Sequence, residues 1–233
     1  MDAATKGGRP AARRAQTRGP ANAEAILAAA HKLVIERGEG FTTQDVIREA
    51  DVALQTFYRH FGSKDQLLIA VIADLTSAHC TGLADRAKGI DDPVDRLRFY
   101  VMETLSPLVE HPAAAGSQFM AAQHWRLMQH YPTEFGAATR AFSDLVQVEL
   151  DAAQASGQLR PSDTKFDAWA INKLVISTFH HYAFADDETL AEADGLAVAE
   201  NVWRFCLAAV GGADLSDETG RRRPLSRGAR RRS

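Results

Sequence analysis

The side chains best equipped for chemistry in this chain cluster between Thr43 and Lys64, and they suit recognition better than bond-making. Leu54-Gln55-Thr56 runs straight into Phe57-Tyr58-Arg59-His60-Phe61. A glutamine amide holds a donor and an acceptor side by side and can pair bidentately with the edge of adenine, while a leucine or threonine methyl can touch the methyl of thymine. Thr43 and Lys64 stand where helices open, and there free N–H groups and the helix dipole favour phosphate. Gln55 is therefore the leading base-reader, with Leu54 and Thr56 beside it. Thr43, Gln44 and Lys64 belong to the same surface.

Reactive constellations are missing elsewhere. The chain has no H-E-x-x-H, no G-x-S-x-G, no phosphate-binding glycine loop and no E-x-x-H pair of the kind that holds iron in a helical bundle. His180-His181 is the only adjacent histidine pair, and neighbours on a helix point about 100° apart, too far to share a metal readily. Cys80 and Cys206 fit no metal spacing and are too few for a disulfide framework. Neither catalysis, nor a metal, nor a cofactor is expected.

Composition agrees with a binding protein. Of 233 residues, 45% are hydrophobic and 24% charged, as in an ordinary globular domain. The basic N-terminus lacks the apolar core of a signal peptide, and no apolar run approaches the ~18 residues of a membrane span, so a cytoplasmic protein is expected. The net charge of −3 is unevenly spread: residues 1–66 sum to +2, residues 67–220 to −12 and residues 221–233 to +7. Basic ends around an acidic middle favour a polyanionic partner.

Those recognition residues need a scaffold, and the periodicity supplies one. Residues 1–20, rich in Gly, Ala, Arg and Pro, read as a basic arm. Ile26, Ala30, Leu33 and Val34 then share one helical face, and Gly38 and Gly40 end that helix. Thr42 with Asp45 forms a capping box and Phe41 with Val46 a hydrophobic staple, which opens a short helix over 43–50. A break at Asp51-Val52 precedes a second short helix over 53–61, which Gly62 stops. Ser63 and Gln66 suggest a second box, starting a helix with Leu67, Leu68, Val71, Ile72 and Leu75 in one stripe. Helices of about seven residues do not stand alone, so packing of Val46, Ile47, Val52, Phe57 and Phe61 must hold them. Further helices are expected over about 93–110, 113–129, 133–156, 164–185 and 189–210, with no strands.

The stretch from Gly40 to Leu68 resembles the DNA-binding signature of the TetR family, and with helix 1 the likeness covers residues 22–72. Its features are the Thr-Thr opening, the short helix, the four-residue break, Thr56-Phe57-Tyr58-Arg59-His60-Phe61 and Ser63-Lys64-Asp65 before a leucine pair. Asp51 stands where the family commonly has Gly, and Ala53 where it has a Ser or Thr cap. The resemblance implies that Tyr58 and His60 join the phosphate contacts. It also implies that the region beyond the signature encloses an inducer cavity, for which Phe99, Met102, Met120, His124, Trp125, Met128 and Phe142 are candidates. For any single one of these, packing in a core is the commoner use. Trp169, Leu174, Phe179, Trp203, Phe205 and Leu207 on the last two helices are candidates for a dimer interface.

The expectation is an all-α chain: a basic arm (1–20), a three-helix helix-turn-helix domain (21–66), a larger helical effector-binding and dimerisation domain (67–210) and an Arg-rich tail (211–233). Such a protein binds a palindromic DNA operator as a homodimer and releases it to an unknown, largely apolar small molecule. Two rivals remain, a helical enzyme or metal bundle and a helical adaptor that binds protein with the same surface.

Overall fold

The computed structural model describes residues 10–38, 40–110, 115–185 and 194–211. Among them are ten α-helices and no strand: α1 (Pro10–Arg37), α2 (Thr43–Glu49), α3 (Leu54–Phe61), α4 (Lys64–Arg86), α5 (Pro93–Glu110), α6 (Ala115–His130), α7 (Pro132–Ala138), α8 (Ala141–Ala155), α9 (Thr164–Ala183) and α10 (Gly195–Ala209).

Two apolar cores organise these helices. The first gathers Ile26, Leu33, Phe41, Val46, Phe57 and Leu67 from α1 to the start of α4, and takes in Phe119 and Leu127 of α6 and Phe135 of α7. The second gathers Leu83, Leu97, Tyr100, Leu150, Val175 and Trp203 from the far end of α4 and from α5, α8, α9 and α10. The expected boundary after residue 66 is thus no gap in the packing. Helix α4 runs through both cores, and α6 and α7 complete the N-terminal one.

This dual role explains the apolarity of α4. Helix α4 with its following turn is, among the described residues, the one helix long and apolar enough to cross a membrane, with a mean hydropathy of 1.6. That departs from the reading that no apolar stretch approaches such a length. Its apolar side chains divide between the cores, Leu67 to Ile72 in one and Cys80 and Leu83 in the other.

Two other expectations are corrected. Helix α1 begins at Pro10, so the unstructured arm expected up to Pro20 is helical from there onward. Pro10 presets the backbone angle of a first turn, the Ala-Ala-Arg-Arg-Ala-Gln run that follows favours helix, and Pro20 removes one backbone bond without ending the helix. Residues 1–9 and the tail from 212 lie outside the described residues.

The single helix expected over 133–156 is broken at Thr139 and Arg140, where Thr139 Oγ1 donates to the Phe135 carbonyl at 3.0 Å. Phe135 and Phe142 are seven residues apart and would share a face of one straight helix. The break sends Phe135 into the first core and Phe142 into the second.

Candidate nucleic-acid interface and small-molecule cavity

The helix pair α2–α3 is built as its sequence requires. Thr42 Oγ1 accepts from the Asp45 N–H at 3.2 Å, and Asp45 Oδ2 accepts from the Thr42 N–H at 2.8 Å, a reciprocal capping box. The Thr42 hydroxyl, which donates to Asp45 Oδ2 at 2.6 Å, and next the Thr42 N–H hold the Asp45 carboxyl below the usual range. Phe41 and Val46 are both buried, as the staple requires. Asp51 adopts φ +50°, a left-handed conformation that Asp tolerates better than most residues and that explains why Gly suits this position. Ala53 begins α3 without a side-chain cap, and Gly62 ends it at φ +63°. At α4 the serine half of the second box forms, with Ser63 Oγ accepting from the Gln66 N–H at 3.1 Å.

Phe57 is fully buried and fixes the roll of α3. Gln55 and Gln44 project outward, and Leu54 and Tyr58 remain 46% and 51% exposed, apolar surface that nothing among the described residues covers. Thr43 and Thr56 are half-buried. His60 is half-buried too, with its Nε2 sealed from solvent and lacking a hydrogen-bond partner, so it does not project freely.

Lys64 is drawn inward. Its ammonium donates to the Phe41 carbonyl and lies 4.5 Å from the Phe41 ring centroid, which ties the start of α4 to the loop before α2. Arg59, which residue-by-residue reading left out, is exposed one turn after Gln55 and shares its face. Its i,i+4 spacing and its charge were the available signal.

A cavity of about 220 Å³ lies between the two cores, bounded by α4 to α9. Of the candidates, Met120, His124 and Phe142 line it. Phe99 and Met102 pack against the second core and Met128 against the first, while Trp125 is 57% exposed. None of these four lines the cavity.

Sequence reading missed His79, Thr104, Asn172 and His180, which do line it and come from three other helices. His79 Nε2 meets Thr104 Oγ1 at 3.1 Å, and Asn172 Nδ2 donates to Ser143 Oγ at 2.9 Å. The rings of His124 and His180 sit 4.6 Å apart, and His124 also packs edge-on against Phe135 at 4.8 Å. Burial pushes the His124 imidazole down to about 4, helped by the His180 and Lys173 charges, and lowers His79 and His180 as well. His181, by contrast, faces a concavity formed by α9 and α10.

Helix α6 joins the cavity to the core beneath α2 and α3. Met120 and His124 line the cavity, whereas Phe119 and Leu127 enter the first core. Arg126 pairs with Asp65, in the first turn of α4, at 2.8 Å and holds that carboxyl below its usual range.

At the other end, Phe166 and Trp169 of α9 and Leu196 and Phe205 of α10 are more than half exposed. Of the interface candidates, Trp169 and Phe205 lie on the surface. Trp203 and Leu207 are buried, and Leu174 and Phe179 pack against the second core. The helical period alone did not reveal which stripe the core would use.

Residues 26–71 match the family model described as bacterial regulatory proteins, tetR family. The HTH-type transcriptional regulator HbdR of Aromatoleum sp. (strain CIB) is 25% identical over 169 residues, 72% of this chain and 73% of that protein. Among solved structures, RolR in complex with resorcinol is similar with a TM-score of 0.64 and 20% identity, covering 92% of this chain and all of that one. The FadR repressor of Thermus thermophilus in complex with lauroyl-CoA has a TM-score of 0.65 and 18% identity, covering 89% of this chain and all of that one.

Proposed function

Because the chain belongs to the TetR family of bacterial regulatory proteins, we propose that it acts in the cytoplasm as a homodimeric repressor, freed from a palindromic operator when a small, largely apolar effector enters the cavity between its cores. The observation that carries this reading is the face of α3, where Leu54, Gln55, Tyr58 and Arg59 are exposed around a helix whose roll is fixed by the buried Phe57. Such a helix enters the major groove, and two of them related by a dimer axis read half-sites about one turn of DNA apart. Gln55 reads a base edge. Tyr58, Arg59 and the N-terminal turn of α2, with Thr43 and Gln44, hold phosphates.

Release requires that the effector bind a state unfit for DNA better than the competent one. Helix α6 supports this coupling, since a ligand that displaces Met120 or His124 also loads Phe119, Leu127 and the Arg126–Asp65 pair. Dimerisation covers the exposed aromatic side chains of α9 and α10, a use that their size and their exposure among the described residues favour.

The test is selection of binding sites from random duplex DNA, with affinity for the winner measured at two salt concentrations. A palindromic motif, bound by a dimer ~10³-fold better than random duplex, supports the proposal. Weak, strongly salt-dependent binding without a motif defeats it and favours a protein-binding adaptor.

A further inference from the structure

We propose that the cavity is shaped for a neutral, single-ring aromatic molecule bearing a hydroxyl group, which His124 and His180 recognise. This deepens the effector reading above and rests on it. Size is the first argument. An apolar cavity of about 150 Å³ accepts benzene, whereas drug-sized ligands need roughly 300 Å³ or more. At about 220 Å³ this one has room for a benzene ring with a substituent.

Charge is the second argument. The lining contains no Asp, Glu, Lys or Arg, so no ion within it would balance a charged ligand. The nearest cation acting on the imidazoles is Lys173, which stands outside the lining and helps keep both rings neutral.

Hydrogen bonding is the third argument. His124 is only 8% exposed, and neither it nor His180 forms a hydrogen bond within the described residues; both meet only rings. Their ring nitrogens are not sealed from solvent as the Nε2 atoms of His31 and His60 are, so a ligand that displaces water from them must replace its hydrogen bonds. A neutral imidazole offers one donor and one acceptor, and a phenolic hydroxyl can supply the complement of either. The apolar wall of Ile72, Leu75, Phe142, Val175 and Phe179 receives the ring.

The experiment titrates the full chain with phenol, toluene, benzoate and lauroyl-CoA by calorimetry at pH 7, and then measures release of the selected operator. It uses the unaltered protein, His124→Phe and His180→Phe, with each variant's fold checked by circular dichroism. Phenol is expected to bind and to weaken about tenfold in at least one folded variant. Toluene should change much less in that variant, and benzoate and lauroyl-CoA should fail to displace phenol.

Equal loss of phenol and toluene, or tighter binding of lauroyl-CoA or benzoate than of phenol, overturns the proposal. If phenol binds as expected yet the operator stays bound, the ligand class stands and the effector role fails. If lauroyl-CoA releases the operator and phenol does not bind, the effector role stands and the ligand class fails.

Discussion

The two cores of this molecule are built on different terms. The N-terminal core carries few buried polar groups, Gln123 bonded to Arg126 and the sealed Nε2 atoms of His31 and His60 among them, and most polar groups of this end go outside, to caps and to the outer face of α3. Around the second core polar groups are buried. Glu149 accepts from Arg96 at 2.8 Å and from Tyr100 Oη at 3.1 Å, Asn172 is bonded to Ser143, and histidines ring the adjoining cavity. Tyr100 is pushed up to about 12 by burial and by the Glu149 charge. A reading head must present a rigid surface, and close apolar packing gives rigidity without demands on partners. A body that receives a ligand needs polar groups inside, each of which must be satisfied by protein or by the guest.

Cutting into each core tests this contrast most severely. Phe57→Ala should cost about 3–5 kcal/mol and abolish operator binding, because α3 loses the side chain that sets its roll. Chemical denaturation and operator titration would measure both effects, and retained operator affinity would sink the idea of a packing-fixed head. Glu149→Ala should cost about 3 kcal/mol by stranding Arg96 and Tyr100, yet leave operator specificity unchanged in the folded fraction. A changed motif would blur the division of labour.

On the surface of the head, Gln55→Ala should cost about 1–3 kcal/mol on the selected site and relax preference at one base position. An equal loss on every sequence would make Gln55 a phosphate contact. Ala53→Ser should stabilise the chain by about 1 kcal/mol, since α3 opens without a cap. An unchanged denaturation midpoint would mean that the N–H groups at that turn already have partners.

A last measurement reads the cavity between the cores through pH. The folded protein keeps His124 neutral down to about 4 against an ordinary value of 6.5, so between these values the unfolded chain takes up a proton that the folded one refuses. This contribution is whole above pH 6.5 and is lost as pH falls toward 4, and the lowered His79 and His180 act in the same direction. Melting temperature should therefore fall across that window, and less steeply in His124→Phe. An identical slope in the variant would place the sensitivity elsewhere.

How much was legible follows from the range of the interactions. The head was legible because its signals are local. Thr42 and Asp45 are three residues apart, Phe41 and Val46 five, and Asp51 and Gly62 act through their own backbone angles. Chemistry within a few residues leaves its trace in the chain. His124 and Phe142 were found as cavity residues because both stand in a segment rich in aromatic residues, but that richness also drew in Phe99, Met102, Trp125 and Met128, which serve as packing or surface.

The sequence by itself determined the all-helical architecture, the capped and turned geometry of α2 and α3, and the outward placement of Leu54, Gln55 and Tyr58, though not that Thr56 and His60 beside them are half-buried. Tertiary structure alone decided that His79, His124, Asn172 and His180 meet in one cavity, that Lys64 is spent on the Phe41 carbonyl, and which faces of α9 and α10 stay open. The physical reason is periodicity. A helix advertises which residues share a stripe, but when most stripes are apolar, only packing between helices distant in sequence decides which is buried, which lines a cavity and which is left for a partner.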